Sequence, residues 1–207
     1  MQASALTARE LFCRRGDRLL FGGIDLSLES GEALHLVGPN GIGKSSLLQI
    51  LAGLRRPAFA PEMIPANRGR GSVNWQGSVG LIDERPALDE DAPLAKALGF
   101  WARVDNNEAT STDAAMDATG LTMLAAVPVR FLSTGQRKRA AFARLLIQGP
   151  DHWLLDEPLN GLDSDGVSLV ERLIADRRAA GGAVIVASHQ AISLPGCQIV
   201  DVRDHPW

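Results

Sequence analysis

The strongest chemical signal in this chain is the run Gly38-Pro39-Asn40-Gly41-Ile42-Gly43-Lys44-Ser45, an unbroken GxxxxGK[ST] pattern. Its glycines let successive backbone N–H groups curl around an anion, and Lys44 can reach the β and γ phosphates of a nucleotide. The Ser45 hydroxyl is a candidate Mg²⁺ ligand, and Ser46 continues the same helix start. A second signal is His152-Trp153-Leu154-Leu155-Asp156-Glu157, an apolar run ending in two carboxylates. Asp156 is expected to organise Mg²⁺, and Glu157 to polarise the attacking water as a general base. Alone, an Asp-Glu pair more often ends a strand in a solvated turn. The phosphate loop upstream favours the chemical reading, with ATP and Mg²⁺ as the implied ligands.

Such groups need a scaffold that brings strand ends together. Ala33 to Val37 is a short apolar run leading into Gly38, and Lys44 to Leu54 has apolar residues at helical spacing, so the order is strand, glycine-rich loop, helix. Leu19 to Glu32 alternates loosely around glycines and reads as strands joined by turns. Arg55 to Gly77, with Pro57, Pro61, Pro65 and Gly69, reads as a surface excursion. Val79 to Ile82 predicts another buried strand. Helices are expected over Pro93 to Val104, Thr112 to Leu124 and Gly135 to Gln148, with the polar stretch Asp105 to Ser111 between the first two. The Gly149-Pro150 pair ends the third. Trp153 to Leu155 and Ala183 to Ala187 are continuous apolar runs typical of strands covered on both faces, with a helix over Asp165 to Ala180 between them. The alternation predicts an α/β fold with a mainly parallel core sheet. One domain over 1–207 is expected, with a helical subdomain at about 84–147.

Bulk properties narrow the classes. A net charge of -3 gives no general basic field, so no nucleic-acid partner is expected. Cys13 and Cys197 form no CxxC pair, which fits free thiols in a reducing compartment rather than a metal or redox motif. Met1 to Glu10 lacks the apolar region of a secretory signal, and no run of about 18 apolar residues occurs. The chain is expected to be water-soluble by itself, with any membrane attachment supplied by a partner.

A third motif, Leu132-Ser133-Thr134-Gly135-Gln136, immediately precedes a helix and resembles the LSGGQ signature of ABC ATPases. Ser133, Gly135 and Gln136 would sit at a helix N-terminus, where unsatisfied N–H groups and the helix dipole favour an anion. Asn160-Gly161-Leu162-Asp163 and Ser188-His189-Gln190 occupy the places of the family's D-loop and switch histidine. The resemblance implies a P-loop ABC ATPase with N-terminal antiparallel strands and a helical signature subdomain. It also implies two copies closing face to face around two ATP molecules. Lys44, Glu157 and His189 would carry catalysis, His189 contacting the γ-phosphate, and Asp163 would tie the two sites across the dimer. His35, His152 and His205 match no family motif.

The pattern departs from the family at several places. No tyrosine occurs anywhere, so the usual adenine-stacking aromatic is missing, and Arg14 or Arg15 is the nearest replacement. Asp83-Glu84-Arg85-Pro86 stands where a glutamine is usual, with Arg85 nearest in register. Thr134 replaces the first signature glycine. The basic run Arg137-Lys138-Arg139 is either a solvated helix face or an electrostatic element near the nucleotide. Within the family, the segments Thr134 to Leu146 and Gly181 to Gln190 resemble the subfamily serving cytochrome c maturation. That implies a peripheral subunit on the cytoplasmic face of a bacterial inner membrane, partnered by a polytopic permease in haem delivery. No histidine or cysteine lies in a recognisable haem motif. Transport of another substrate, a soluble ATPase of iron–sulfur assembly, and a non-hydrolysing binding module remain alternatives.

Overall fold

Strand formation begins earlier than the apolar pattern indicates. In the computed structural model, which describes residues 4–59, 71–104 and 110–206, β1 (Ser4–Arg15) pairs antiparallel with β2 (Arg18–Glu29) and with β4 (Ser72–Trp75). The reason β1 is hard to see is a bulge. Its inward residues are Leu6 and Ala8, then Leu11 and Cys13, so the period of two slips by one residue. The slip falls where the register shifts and Glu10 takes a φ of 50°. β4 lies inside the stretch expected to be irregular. Pro61, Pro65 and Gly69 of that stretch, the polar residues 105–109 and Met1 to Ala3 lie outside the described residues.

The second sheet has five parallel strands in the order β5-β6-β7-β3-β8. They are β3 (Ala33–Val37), β5 (Val79–Ile82), β6 (His152–Asp156), β7 (Val184–Ala187) and β8 (Gln198–Asp201). Alternation along these strands divides them between two cores. Leu34, Leu36, Leu154, Ile185 and Ala187 pack with α1 (Lys44–Leu51) and the antiparallel sheet. Ala33, Trp153, Leu155, Val184 and Val186 pack with α4 (Thr134–Gln148) and α5 (Ser164–Ala179) on the other face. Both faces are covered, which is why these strands read as unbroken apolar runs.

A third cluster joins α2 (Leu94–Val104), α3 (Thr112–Ala118) and α4, using Leu94, Leu98, Met116 and Leu121. α4 is the shared member. Phe142 and Leu145 face the sheet, whereas Ala140, Ala143 and Ile147 face the other helices. Two expected helices are shorter than the periodicity suggests. α1 ends at Leu51, and Leu54 is exposed beyond Gly53 with its φ of 73°. α3 stops at Ala118, and after Gly120 (φ 64°) the chain makes only a 3-10 turn at Thr122–Leu124. Left-handed backbone at a glycine is a common way to terminate a helix.

Candidate functional site

The neighbours β6, β7 and β3 put three chemically distinct strand ends side by side. β3 runs into the loop 38–43, which turns into α1. Within that loop Gly43 has a φ of 120°, and a Cβ there would stand 2.9 Å from the Phe21 ring, so only glycine fits the approach to β2. Lys44, almost fully buried, folds back and donates to the carbonyls of Gly38 (2.7 Å) and Pro39 (3.3 Å), which keeps its ammonium over the loop. Asn40, Gly41, Gly43, Lys44, Ser45 and Ser46 form one wall of a cleft of about 360 Å³. Ile42 points instead toward the β1–β2 turn.

The opposite wall comes from β6 and β7. Ser45 and Asp156 line the same cleft, which brings together the two candidate metal ligands. Burial pushes the Asp156 carboxyl up; the nearby Ser45 hydroxyl opposes the rise, Glu157 and Glu84 add to it, and Lys138 opposes it. Glu157 has a φ of 45°, a strained backbone for a non-glycine residue and one that recurs at functional positions. Its Oε2 is buried and lies 2.9 Å from His189 Nδ1, with no hydrogen-bond donor otherwise among the described residues, so the carboxylate keeps an unsatisfied acceptor at the cleft wall. Its backbone N–H donates to Ala187 O at 2.8 Å, tying β6 to the segment that carries His189. The Ser188 hydroxyl accepts from Gln190 N at 3.0 Å, and the Gln190 side chain donates to Asn160 Oδ1 at 3.1 Å, so the turn after β7 is fixed to the turn after β6.

Other expected residues stand elsewhere. Ser133, Gly135 and Gln136 do not line the cleft. They begin α4 with a reciprocal cap, in which Ser133 N donates to Gln136 Oε1 (2.9 Å) and Gln136 N donates to Ser133 Oγ (3.2 Å). A Cβ on Gly135 would meet Gly161 O at 2.7 Å, which packs the start of α4 onto the turn before α5. Asp163 caps α5 by accepting from Gly166 N at 2.8 Å. Of the two arginines offered as a base platform, Arg15 lines the cleft with Leu20, and Arg14 faces a neighbouring cavity.

Two site features escape a reading of isolated motifs. Glu84, rather than Arg85, reaches the cleft; Arg85 lines a groove against α4 instead. The signal lies in strand register. β5 and β6 run parallel with Ile82 opposite Leu155, so the acidic pairs that follow them, 83–84 and 156–157, leave the sheet side by side. The basic run divides as well. Arg137 donates to Leu132 O (3.1 Å) and Arg130 O (2.6 Å), and Arg139 to Thr119 O (3.3 Å), whereas Lys138 faces carboxylates. Burial lowers the Lys138 ammonium pKa, and Asp156, Glu157, Asp83 and Glu84 counter it.

A glycine-rich loop between a parallel strand and a helix, with acidic ends on the adjoining strands, defines a P-loop nucleoside triphosphatase. The chain belongs to the ABC transporter family, whose model, described as ABC transporter, matches residues 21–160, and it is an ATP hydrolase of that family. It is 47% identical over 204 residues to the cytochrome c biogenesis ATP-binding export protein CcmA of Novosphingobium aromaticivorans, covering 99% of this chain and 98% of the relative. The protein of the same name from Sphingopyxis alaskensis is 49% identical over 183 residues, covering 88% and 89%. Among solved structures, cbiO1 of Clostridium perfringens, part of the ABC transporter complex cbiONQ, superposes with a TM-score of 0.68 at 27% identity, covering 90% of this chain and 78% of the other. Among the described residues no helix is long and apolar enough to cross a membrane.

Proposed function

We propose that this chain is the ATP-hydrolysing subunit powering haem export in the maturation of c-type cytochromes. The observation that carries the export reading is its near-full-length similarity to cytochrome c biogenesis ATP-binding export proteins. The 2.9 Å approach of His189 to Glu157, beside the Lys44 loop, supports the hydrolytic roles. Gly38 to Ser46 cradle the phosphates, and Lys44 leaves its loop carbonyls for the β and γ phosphates. Glu157 takes a proton from the attacking water, and His189 holds that carboxylate and the γ-phosphate in register. Ser45 and Asp156 present adjacent hard oxygens of the kind Mg²⁺ takes, and would hold it. When bound, that ion neutralises phosphate charge.

Ser133, Gly135 and Gln136 stand at a capped helix start away from their own cleft, which fits a role toward the γ-phosphate held by a second copy. Two copies then sandwich two ATP molecules, with Asp163 near the shared interface. A polytopic membrane permease is the further partner, which places the protein peripherally on the cytoplasmic side of the inner membrane. Residues 1–207 form one ATPase domain in this reading, with a helical subdomain at about 84–147. The separate cluster of α2, α3 and α4 supports that division.

The test is to purify a tagged Glu157→Gln variant from gently solubilised native membranes with ATP present, since a hydrolysis-defective subunit lingers in the closed complex. Membrane proteins of cytochrome c maturation are the expected companions. An unrelated permease would replace haem with another substrate, and exclusively soluble companions would move the chain to a cofactor-assembly role.

A further inference from the structure

We propose that Lys138 is a positioning residue that sets the charge balance of the metal–nucleotide site, acting through Glu84 and the Asp156-Glu157 pair. Asp83 and Glu84, after β5, share a groove with Lys138, and Glu84 continues into the cleft that holds Asp156 and Glu157 at the end of β6, so all four carboxylates act on its charge through space. Glu84 is the hinge of the arrangement, because it lines both the nucleotide cleft and the groove that Lys138 occupies with Asp83 and Arg85. The other basic groups nearby are committed elsewhere. Arg137 and Arg139 bond carbonyls of the helical region, and Lys44 bonds its own loop.

Lys138 itself is half-buried and makes no direct hydrogen bond or ion pair among the described residues, so its charge acts through space. Its placement is fixed by α4, whose Arg144, further along the helix, donates to Leu81 O at 2.7 Å and so clamps β5, the strand from which the acidic loop departs. The helix that begins with the signature residues therefore carries the counter-charge for the hydrolytic carboxylates. Four carboxylates without it would over-attract a divalent cation and repel the phosphates. With it, the site is held at a charge that accepts both. This inference rests on the assignment of Asp156 to the metal.

The test uses the full chain with Mn²⁺ as a paramagnetic stand-in for Mg²⁺, titrated in the presence of ADP and read by the loss of free-ion EPR signal. Lys138→Met is expected to lower the half-saturating Mn²⁺ by roughly three- to tenfold, the size for one half-buried unit charge near a dication. Glu84→Gln, at an exposed position, is expected to raise it by a similar factor. The double variant returns close to the parent value, and Lys138→Arg stays there as well. A purely structural lysine would not show compensation by removal of a carboxylate. Asp156→Asn is the control: if it leaves Mn²⁺ binding intact, the metal assignment fails first. If Asp156→Asn weakens binding while Glu84→Gln and a folded Lys138→Met do not move it, the proposal is overturned. Should Lys138→Met fail to fold, an unchanged Mn²⁺ affinity in Glu84→Gln overturns it alone.

Discussion

Glu157→Gln removes the carboxylate proposed as the general base while keeping the side chain's shape and its capacity to meet His189. The left-handed backbone at Glu157 and its N–H bond to Ala187 O belong to the main chain and survive the change. The strand end therefore stays in place, and only the charge and basicity of one oxygen are lost. That oxygen, Oε2, lies 2.9 Å from His189 Nδ1 and has no other hydrogen-bond donor. A positioned general base contributes about 10²- to 10⁴-fold, which corresponds to roughly 3–5.5 kcal/mol of activation free energy. Single-turnover hydrolysis of radiolabelled ATP should fall by that factor. ATP binding, followed with a fluorescent analogue, should hold or tighten, because a negative charge near the γ-phosphate is gone. Turnover within about threefold of the parent would refute the assignment of Glu157 as base, since no positioned base contributes so little.

Three further outcomes follow from the same geometry. Leu154→Ala, at a fully buried β6 position facing the α1 core, should cost about 2–5 kcal/mol in urea unfolding with little change in the slope of the transition. Asp156→Asn should stabilise the ligand-free protein. The native Asp156 pKa is raised by burial, so the native fold favours the protonated acid. That preference is complete below the unfolded carboxyl pKa and is lost as pH rises through the folded value. The stabilising effect of the amide should therefore be present at neutral pH and fade toward acid, as thermal melts at several pH values would show. Arg15→Ala should weaken ATP and GTP to similar extents in equilibrium binding, because on the side of the β1–β2 turn the cleft is lined, among the described residues, by Arg15 and Leu20 and by no Phe or Trp that would discriminate bases. A loss confined to ATP would contradict this.

The amino-acid sequence by itself determined the class of protein and the strand–loop–helix and strand–helix–strand units at the centre of the parallel sheet. Gly38 to Ser45 lies between an apolar run and a helical pattern, and Leu154-Leu155-Asp156-Glu157 announces a covered strand ending in acid, because these signals are local in the chain. Tertiary structure decided what depends on neighbours distant in sequence. β1 is hidden by its bulge, and β4 and β8 are four-residue edge strands without the continuous apolar run that marks β5 and β7, so they form through the partners they pair with. Glu84 enters the cleft because β5 lies beside β6, and Arg15 rather than Arg14 does so because of the course of the β1–β2 turn. The run 137–139 looks uniform as letters. On α4 its members point in different directions, so two arginines tie down carbonyls and one lysine lies within electrostatic reach of the acids that follow β5 and β6. Side-chain direction on a helix and strand order in a sheet are global properties, and they decide which charges meet.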